Sequence, residues 1–359
     1  MKRAMRRAAE HLLALAIGGA VLLAAPAAFP CGAPFGTGIT VDPHQDIIVG
    51  WKDNVETYVF QPIFCGTATD FGLILPVPGA LSQKPSLTEQ QAFTTAAALS
   101  EPTKRQVVQK NGGFGCGGSE SAGGMRNGTE DTTTVVASGQ VGFLDWVQLK
   151  ADTEASFTDW LTANGYPYSS AATSVFSYYV QKGWYFVAFK ISQEAAPGGG
   201  TICRALGPVA LSFPTTAPIV PSRMASAGSS STAASQRFSW RIFGITHGDA
   251  QLAFSGGTNY DRTLWYSGAI NAGDVASLSG LAEAGDRLTR LAFSFYSGTQ
   301  DPDINLTLTA PADYRGTEDV VVYDDSACSV SRSGRLPHGL LLSLSGLALV
   351  GLLCWRRWR

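Results

Sequence analysis

The side chains best suited to chemistry in this 359-residue chain are its six cysteines. Four of them lie between the two apolar ends of the chain, and these are Cys31, Cys65, Cys116 and Cys203. An even number of cysteines in an oxidising compartment indicates disulfide bonds, and four cysteines allow three pairings. We favour Cys31–Cys65, which would tie the N-terminus to a strand end, and Cys116–Cys203, which would join two Gly-rich loops. A metal site is the alternative, but there is no CxxC or HExxH motif, so no metal ligand is assigned.

Hydrolytic catalysis would require a nucleophile beside a base, or two facing carboxylates. The sequence has no GxSxG motif and no convincing Cys–His arrangement. Four carboxylates could pair across the fold, and these are Glu56, Asp70, Asp301 and Asp303. Sequence alone cannot place two carboxyl groups roughly 5–10 Å apart, as glycoside hydrolysis needs. We therefore assign no catalytic and no cofactor-binding residues.

Bound Ca²⁺ is a weaker alternative. Asp301-Pro302-Asp303 and Asp324-Asp325 offer the hard oxygen ligands that this cation prefers. Neither stretch matches an EF-hand loop, and a turn and a solvated linker explain them more simply. No cofactor is therefore expected beyond this weak indication.

The charge distribution argues against a nucleic-acid partner. Nine of the 26 basic residues, but only Glu10 of the 28 acidic ones, lie in the two ends. The central part keeps 17 basic and 27 acidic residues, a formal net charge of −10. Such a surface would repel phosphate backbones.

The N-terminal residues 1–28 have the pattern of a signal peptide. Lys2 and three arginines precede an apolar run from Leu12 to Ala25, and Ala25-Pro26-Ala27 offers small residues for cleavage. Pro30 stands before Cys31, where a lipobox would have a small residue, which argues against a lipoprotein. An uncleaved anchor is the other interpretation. Both predict that the central part is exported.

The C-terminal residues 336–355 have the length and composition of one transmembrane helix. Leu336 to Trp355 is close to the roughly 20 apolar residues that cross a bilayer, and it contains no full charge. The arginines of residues 356–359 follow directly, which predicts a cytoplasmic C-terminus. The protein is thus expected to contact the membrane through this helix, with its ectodomain outside the cytoplasmic membrane.

The elements that must position any site are predicted to be mostly strands. We expect an α+β fold that is β-rich, with mainly antiparallel sheets and a few packed helices. Strands are predicted at 46–51, 55–60, 71–77, 135–149, 184–191, 208–214, 219–223, 237–246, 249–254, 264–267, 290–297 and 304–311, and helices at 86–99, 154–164, 170–181 and 272–285. The Ser/Ala-rich residues 226–235 are predicted to link a first lobe, 29–225, to a second β-rich lobe, 236–325.

Several short motifs resemble a bacterial secreted family, the domain of unknown function DUF2330. They occur in order between residues 31 and 225 and include Cys31-Gly32, Asp70-Phe71-Gly72-Leu73-Ile74-Leu75-Pro76-Val77-Pro78, Asn164-Gly165-Tyr166, Gly183-Trp184-Tyr185-Phe186-Val187-Ala188 and Leu206-Gly207-Pro208-Val209. The resemblance fades after Ser226. It implies no reaction, substrate or catalytic residue.

The tail resembles the MYXO-CTERM sorting signals of myxobacteria. Cys328-Ser329-Val330 and a spacer, together residues 326–335, precede the apolar helix and the arginine cluster. The resemblance implies processing near Cys328 by a sorting protease and transfer to the cell surface, with Cys328 as the sorting or lipidation residue. A permanent single-pass anchor is the alternative.

These observations favour an exported, membrane- or surface-anchored envelope protein with a non-enzymatic binding or structural role. Its ligand or protein partner is not indicated by the sequence. The alternative is an exported hydrolase that acts on glycans or peptides.

Overall fold

The structure, a computed structural model, describes residues 33–35, 44–61, 63–67, 71–109, 132–166, 168, 170–192, 201–205, 207–228, 237–248, 250–256, 261–296 and 303–323. The predicted signal peptide, the predicted membrane segment and Cys328 lie outside these residues. Within the described ranges, no helix is both long enough and apolar enough to cross a membrane.

The described part of the chain is β-rich, with mainly antiparallel sheets and three α-helices, as expected. The strands are β1 Ala33–Phe35, β2 His44–Lys52, β3 Val55–Phe60, β4 Ile63–Thr67, β5 Gly72–Val77, β6 Ser86–Leu87, β7 Thr103–Gln109, β8 Thr133–Val141, β9 Leu144–Ala151, β10 Tyr185–Ile191, β11 Thr201–Ala205, β12 Val209–Pro214, β13 Ile219–Val220, β14 Arg237–Thr246, β15 Gln251–Phe254, β16 Asp261–Ala269, β17 Arg287–Tyr296, β18 Ile304–Thr309, β19 Tyr314–Arg315 and β20 Thr317–Tyr323. The helices are α1 Gln90–Leu99, α2 Glu154–Ala163 and α3 Thr173–Gln181.

The largest layer is an eight-stranded sheet in the order β19-β16-β17-β14-β2-β3-β12-β6. Its described pairs are antiparallel, except that β14 runs parallel to β2. Along the chain, the predicted linker, residues 226–235, comes after β12 and before β14, and both of these strands belong to this one sheet. Both flanking stretches also belong to the same compact unit. The two parts of the chain that we expected to form separate lobes therefore share a sheet.

A second sheet, in the order β1-β5-β10-β9-β8, lies across the main core from the large one. Side chains from both sheets fill this core, for example Val49 and Tyr58 from the large sheet and Leu75 and Phe189 from the smaller one. Smaller sheets of order β13-β18-β15 and β11-β4 complete this part of the chain. The inner face of the large sheet is therefore buried away from solvent.

Helices cover the outer face of the five-stranded sheet and part of the outer face of the large sheet. Phe157 of α2 and Phe176 of α3 pack on the five-stranded sheet, with the rings of Phe157 and Phe186 stacked 4.0 Å apart. On the outer face of the large sheet, Phe93 of α1 packs with Ile48 and Val59. This leaves part of that outer face uncovered.

Helix α2 follows its sequence signals closely. Thr153 caps its start, because the Thr153 hydroxyl accepts from the Ser156 N–H at 3.3 Å and the Ser156 hydroxyl accepts from the Thr153 N–H at 3.4 Å. Gly165, with φ of +65°, follows the last turn, where only glycine adopts the left-handed conformation without strain. The prediction of this helix is confirmed.

Two predicted helices were wrong in extent or type. Helix α1 begins at Gln90 rather than at Ser86, because Ser86 and Leu87 pair with β12 as an edge strand. The predicted helix 272–285 is a short 3₁₀ helix, Val275–Leu278, followed by an irregular loop. Ser279, Gly280 and Gly285 all have positive φ, which an α-helix cannot contain.

A small second unit comprises residues 105–109 and 319–323 among those described. Its described residues belong to β7 and β20, which pair as a two-stranded sheet. Arg105 binds both carboxylate oxygens of Asp319 at 2.7 and 2.9 Å, and these bonds lower the pKa of Asp319.

Candidate functional site

A polar groove of about 340 Å³ crosses the uncovered part of the large sheet's outer face. Its lining comes from five parts of the chain, namely residues 50–52, 55 and 57, residues 83 and 86–88, Ala210, residues 245–247, and residues 279–283 and 286. The volume lies at the lower end of the range for small-ligand sites. We call this feature the polar groove.

The floor of the polar groove is a gap in a row of side chains. Ile245, Gly50, Thr57 and Ser212 are successive register partners on β14, β2, β3 and β12. Directly paired residues share one face of a sheet, so Gly50 leaves an empty position between Ile245 and Thr57. A Cβ built on Gly50 would lie 3.5 Å from the Thr57 Cβ, an ordinary contact. A methyl group at this position is therefore compatible with the sheet, so the fold does not require glycine here.

One wall of the polar groove carries hydrogen-bonding side chains that are not charged. Thr57 and Gln83 line this wall, and both contact Ser212. The Thr57 and Ser212 hydroxyl oxygens are 3.1 Å apart, and the Gln83 amide nitrogen donates to the Ser212 hydroxyl at 3.1 Å. Ser86 and Thr88 line the same wall. Hydroxyl and amide groups can both donate and accept, so this wall suits a ligand that does the same.

The opposite wall holds an Asp–His pair. Asp286 is nearly buried, and its Oδ1 lies 3.0 Å from His247 Nδ1 while its Oδ2 accepts from the Glu283 N–H at 2.7 Å. An ionised carboxylate only accepts, so the proton of a neutral His247 sits on Nδ1. The His247 Nε2 is then left as an acceptor on a ring that is two-thirds exposed.

An ion pair closes one end of the polar groove. Lys52 Nζ lies 2.8 Å from Glu283 Oε1, which joins the end of β2 to the loop after the 3₁₀ helix. The hydrogen bond between them raises the pKa of Lys52 and lowers the pKa of Glu283. Both side chains are more than half exposed, so the pair orients the rim and contributes little stability.

The loop of residues 279–286 is held in an unusual conformation beside this rim. Ser279 has φ of +53°, a value that costs a non-glycine residue energy, and its hydroxyl is buried without a partner among the described residues. Backbone bonds from Gly285 to Ile270 and from Leu281 to Leu278 fix the loop. Strained, unsatisfied residues concentrate at functional sites, which agrees with a role for the groove.

The groove lacks the arrangement that covalent hydrolysis uses. In the part of the chain that the structure describes, Asp286 is the only side chain hydrogen-bonded to His247. Nucleophilic catalysis needs a hydroxyl or thiol on the other ring nitrogen. Nor do the described residues contain a group of three or more His, Cys, Asp or Glu side chains able to hold a metal ion.

Comparison with known proteins identifies a family but no activity. The model of a family described as an uncharacterized protein conserved in bacteria, DUF2330, matches residues 25–307. The chain belongs to this DUF2330 family. The match extends beyond residue 225, where the quoted motifs end, and it includes every segment of the polar groove. No match was found among curated proteins.

Two solved structures are similar to the DUF2330 chain at very low identity. The crystal structure of baculovirus P35 has 7% identity and a TM-score of 0.34, covering 78% of this chain and 100% of that one. A mutated baculovirus P35 after caspase cleavage has 4% identity and a TM-score of 0.28, covering 76% and 99%. At these TM-scores, neither likeness supports an inference about this chain.

The structure brings together two of the predicted cysteines. Cys65 in β4 and Cys203 in β11 are register partners. Cys31, Cys116 and Cys328 lie outside the described residues, so the pairing expected from the sequence stays a prediction.

Of the predicted carboxylates, the structure describes Glu56 and Asp303, and these two bind different partners. Glu56 lies fully buried on the inner face of the large sheet, where its Oε2 accepts the Ile219 N–H at 2.8 Å. Asp303 is also buried and is bound by Tyr178 Oη at 3.1 Å, Tyr179 Oη at 2.5 Å and Lys182 Nζ at 3.1 Å. Burial, followed by Asp303 itself, raises the pKa of Tyr179. Asp70, Asp301 and the Asp324-Asp325 pair lie outside the described residues.

The Asp303 contacts bear on the weak calcium prediction. Three donors, one of them an ammonium group, already surround this carboxylate. A cation would have to replace Lys182, which holds the same charge sign. The surroundings of Asp303 therefore suit an internal ion pair better than a calcium ligand.

Sequence reasoning missed the main groove residues, Gly50, Gln83 and Asp286. A register signal was available for one of them. Thr246 and Arg287 are partners at the end of the β14–β17 pair, so His247 and Asp286 are the next residues beyond it. The predicted strand 290–297 began three residues too late to show this relationship.

Proposed function

We propose that this protein is an exported envelope protein that binds a small, hydroxyl-rich ligand in the polar groove without changing it chemically. The observation that carries the proposal is the groove itself, in which donor–acceptor side chains face an already paired Lys52–Glu283 and an already paired His247–Asp286. Glu283 balances the charge of Lys52, and the Asp286 carboxylate already accepts from His247 and the Glu283 N–H, so the groove favours an uncharged polar group. A saccharide unit of an envelope polymer has that chemistry.

Binding is tested with a variant that fills the groove floor. Titration calorimetry with muropeptides and neutral disaccharides should give a saturable heat for the wild-type protein. Gly50→Ala should weaken that binding at least tenfold, because the new methyl group occupies the gap between Ile245 and Thr57. Gly273→Ala is the matched control, since a Cβ there meets nothing within 4 Å. Equal ligand affinities of Gly50→Ala and Gly273→Ala would contradict the proposal that the ligand binds in the polar groove.

The location is proposed from the chain ends. The signal-peptide pattern, the apolar tail and the MYXO-CTERM-like motif support export, anchoring and processing near Cys328. Mass spectrometry of protein extracted from membranes tests this part. Loss of the 31 residues after Cys328 with a lipid adduct supports sorting, whereas an intact C-terminus supports a permanent anchor.

A hydrolase is the second candidate, and the His247–Asp286 pair favours it. The carboxylate would orient the ring so that Nε2 could take a proton from water, as in general base catalysis. Release of reducing ends or amines from envelope polymers would indicate this activity, provided that it is lost in His247→Ala. Binding without product would favour the first proposal.

A further inference from the structure

The small sheet of β4 and β11 holds the only described cysteines in direct register. The partners along the pair are Thr201 with Thr67, Ile202 with Gly66, Cys203 with Cys65, Arg204 with Phe64 and Ala205 with Ile63. The two strands are antiparallel, and the cysteine pair stands at the middle of the five. The positions are 138 residues apart in sequence, so the fold alone brings them together.

Direct register satisfies the main geometric requirement of a disulfide. Opposed residues of antiparallel strands have Cα atoms about 4.5–5.5 Å apart, depending on the type of pair. Disulfides join residues whose Cα atoms are about 4.4–6.8 Å apart. Directly opposed residues also share one face of the sheet. Both types of antiparallel pair therefore lie within reach of a bond.

We infer that Cys65 and Cys203 form a disulfide that ties β4 to β11. The two thiols lose two protons and two electrons, and a bond forms between their sulfurs. The oxidant is a protein or small-molecule disulfide, whose own sulfur–sulfur bond breaks as it takes up both electrons and both protons to become two thiols. Access to this oxidant in the cell rests on the proposed export.

This assignment replaces the pairing favoured by sequence spacing. Joining Cys65 to Cys203 leaves Cys31 and Cys116 as the remaining pair. Strand β1, which starts two residues after Cys31, belongs to the five-stranded sheet and pairs with β5 rather than with β4. Among the described strands, the register places Cys203 directly opposite Cys65.

Peptide mapping distinguishes the three pairings cleanly. Trypsin places each cysteine in a different peptide, with Cys65 in residues 53–104, Cys116 in 111–126 and Cys203 in 191–204. Protein is extracted from cell envelopes with free thiols blocked, digested and mapped by mass spectrometry without reductant. We expect residues 53–104 joined to 191–204, and we expect that mass to disappear on reduction.

A second arm separates the disulfide from the proposed export. Purified, folded protein is reduced and then oxidised with glutathione disulfide before the same mapping. If the cross-link forms in the purified protein, the pairing is supported even when the cellular protein carries free thiols. Free thiols in the cellular protein would then count against the proposed export and not against the pairing. Cys65 joined to Cys31 or Cys116, or free in both samples, overturns the inference.

Two variants complete the test. Cys65→Ser should leave residues 191–204 as a blocked free thiol with no partner. Cys116→Ser is the matched control and should leave the link between 53–104 and 191–204 intact. Loss of that link in Cys116→Ser would contradict the pairing, because it would show that Cys116 takes part in it.

Discussion

Glu56 offers the sharpest test of the core. It lies on the inner face of β3, fully buried with Tyr58 and Phe60, and its Oε1 has no hydrogen-bond partner among the described residues. Burial raises the pKa of this carboxyl well above its ordinary value of 4.5, and the hydrogen bond from the Ile219 N–H opposes the shift only in part. At pH values between 4.5 and the raised pKa, the folded protein therefore keeps a proton on Glu56 that the unfolded chain largely releases.

The sign and size of the effect follow from proton linkage. The favourable contribution of neutral Glu56 is complete below pH 4.5, and it is lost as the pH rises from 4.5 towards the raised pKa of the folded state. One proton limits the slope to about −1.4 kcal/mol per pH unit. Between pH 5.0 and 6.0 the loss is at most about 1.2 kcal/mol, because the unfolded carboxyl is still partly protonated at pH 5.0.

Glu56→Gln removes this dependence while its amide oxygen can still accept from the Ile219 N–H. Urea unfolding of both proteins at pH 5.0 and 6.0 measures the difference. The wild type should lose up to about 1.2 kcal/mol more than the variant over that interval. Glu89→Gln, at an exposed carboxyl, is the control and should follow the wild type. If Glu56→Gln and the wild type change equally, Glu56 is not held neutral in the fold.

Three further substitutions test individual contacts by urea unfolding. Thr153→Ala should cost about 1 kcal/mol, because it removes the cap of α2, whereas Thr153→Ser should retain most of the stability. Asp303→Ala should lower the free energy of unfolding by about 2–3 kcal/mol. This is less than for a fully enclosed ion pair, because Lys182 is partly exposed. An unchanged free energy of unfolding would mean that the carboxylate is not paired. Gly79→Ala should cost about 1–3 kcal/mol, because its Cβ would lie 2.6 Å from the Pro214 carbonyl oxygen, and it should unfold well before Gly273→Ala.

Local features were predictable where local chemistry decides them. The Asp53-Asn54 turn has positive φ at both residues and joins β2 to β3, as turn-forming residues at this point predict. Helix α2 has its cap and its terminal glycine at the expected residues. Such features depend on a few neighbouring side chains, and sequence spacing therefore reports them directly.

Long-range pairing was not predictable from the same patterns. Strand β14 lies parallel to β2 although nearly 200 residues separate them, and the Ser/Ala-rich stretch before β14 has the composition of a domain linker. Alternation of polar and apolar residues indicates that each segment is a strand, but not which strand lies beside it. The expectation of two lobes came from composition alone, and the sheet order decided the architecture instead.

The two proposals depend on that sheet order in the same way. Gly50 is an unremarkable small residue within a strand until its register partners, Ile245 and Thr57, show that it leaves a gap in the outer face. Cys65 has three potential partners until its register places Cys203 opposite. In both cases the residue type supplies the chemistry and the register supplies the neighbour. A one-residue slip would turn each side chain to the other face of its sheet, so Gly50→Ala and the Cys65 peptide map also test the register of the two strand pairs.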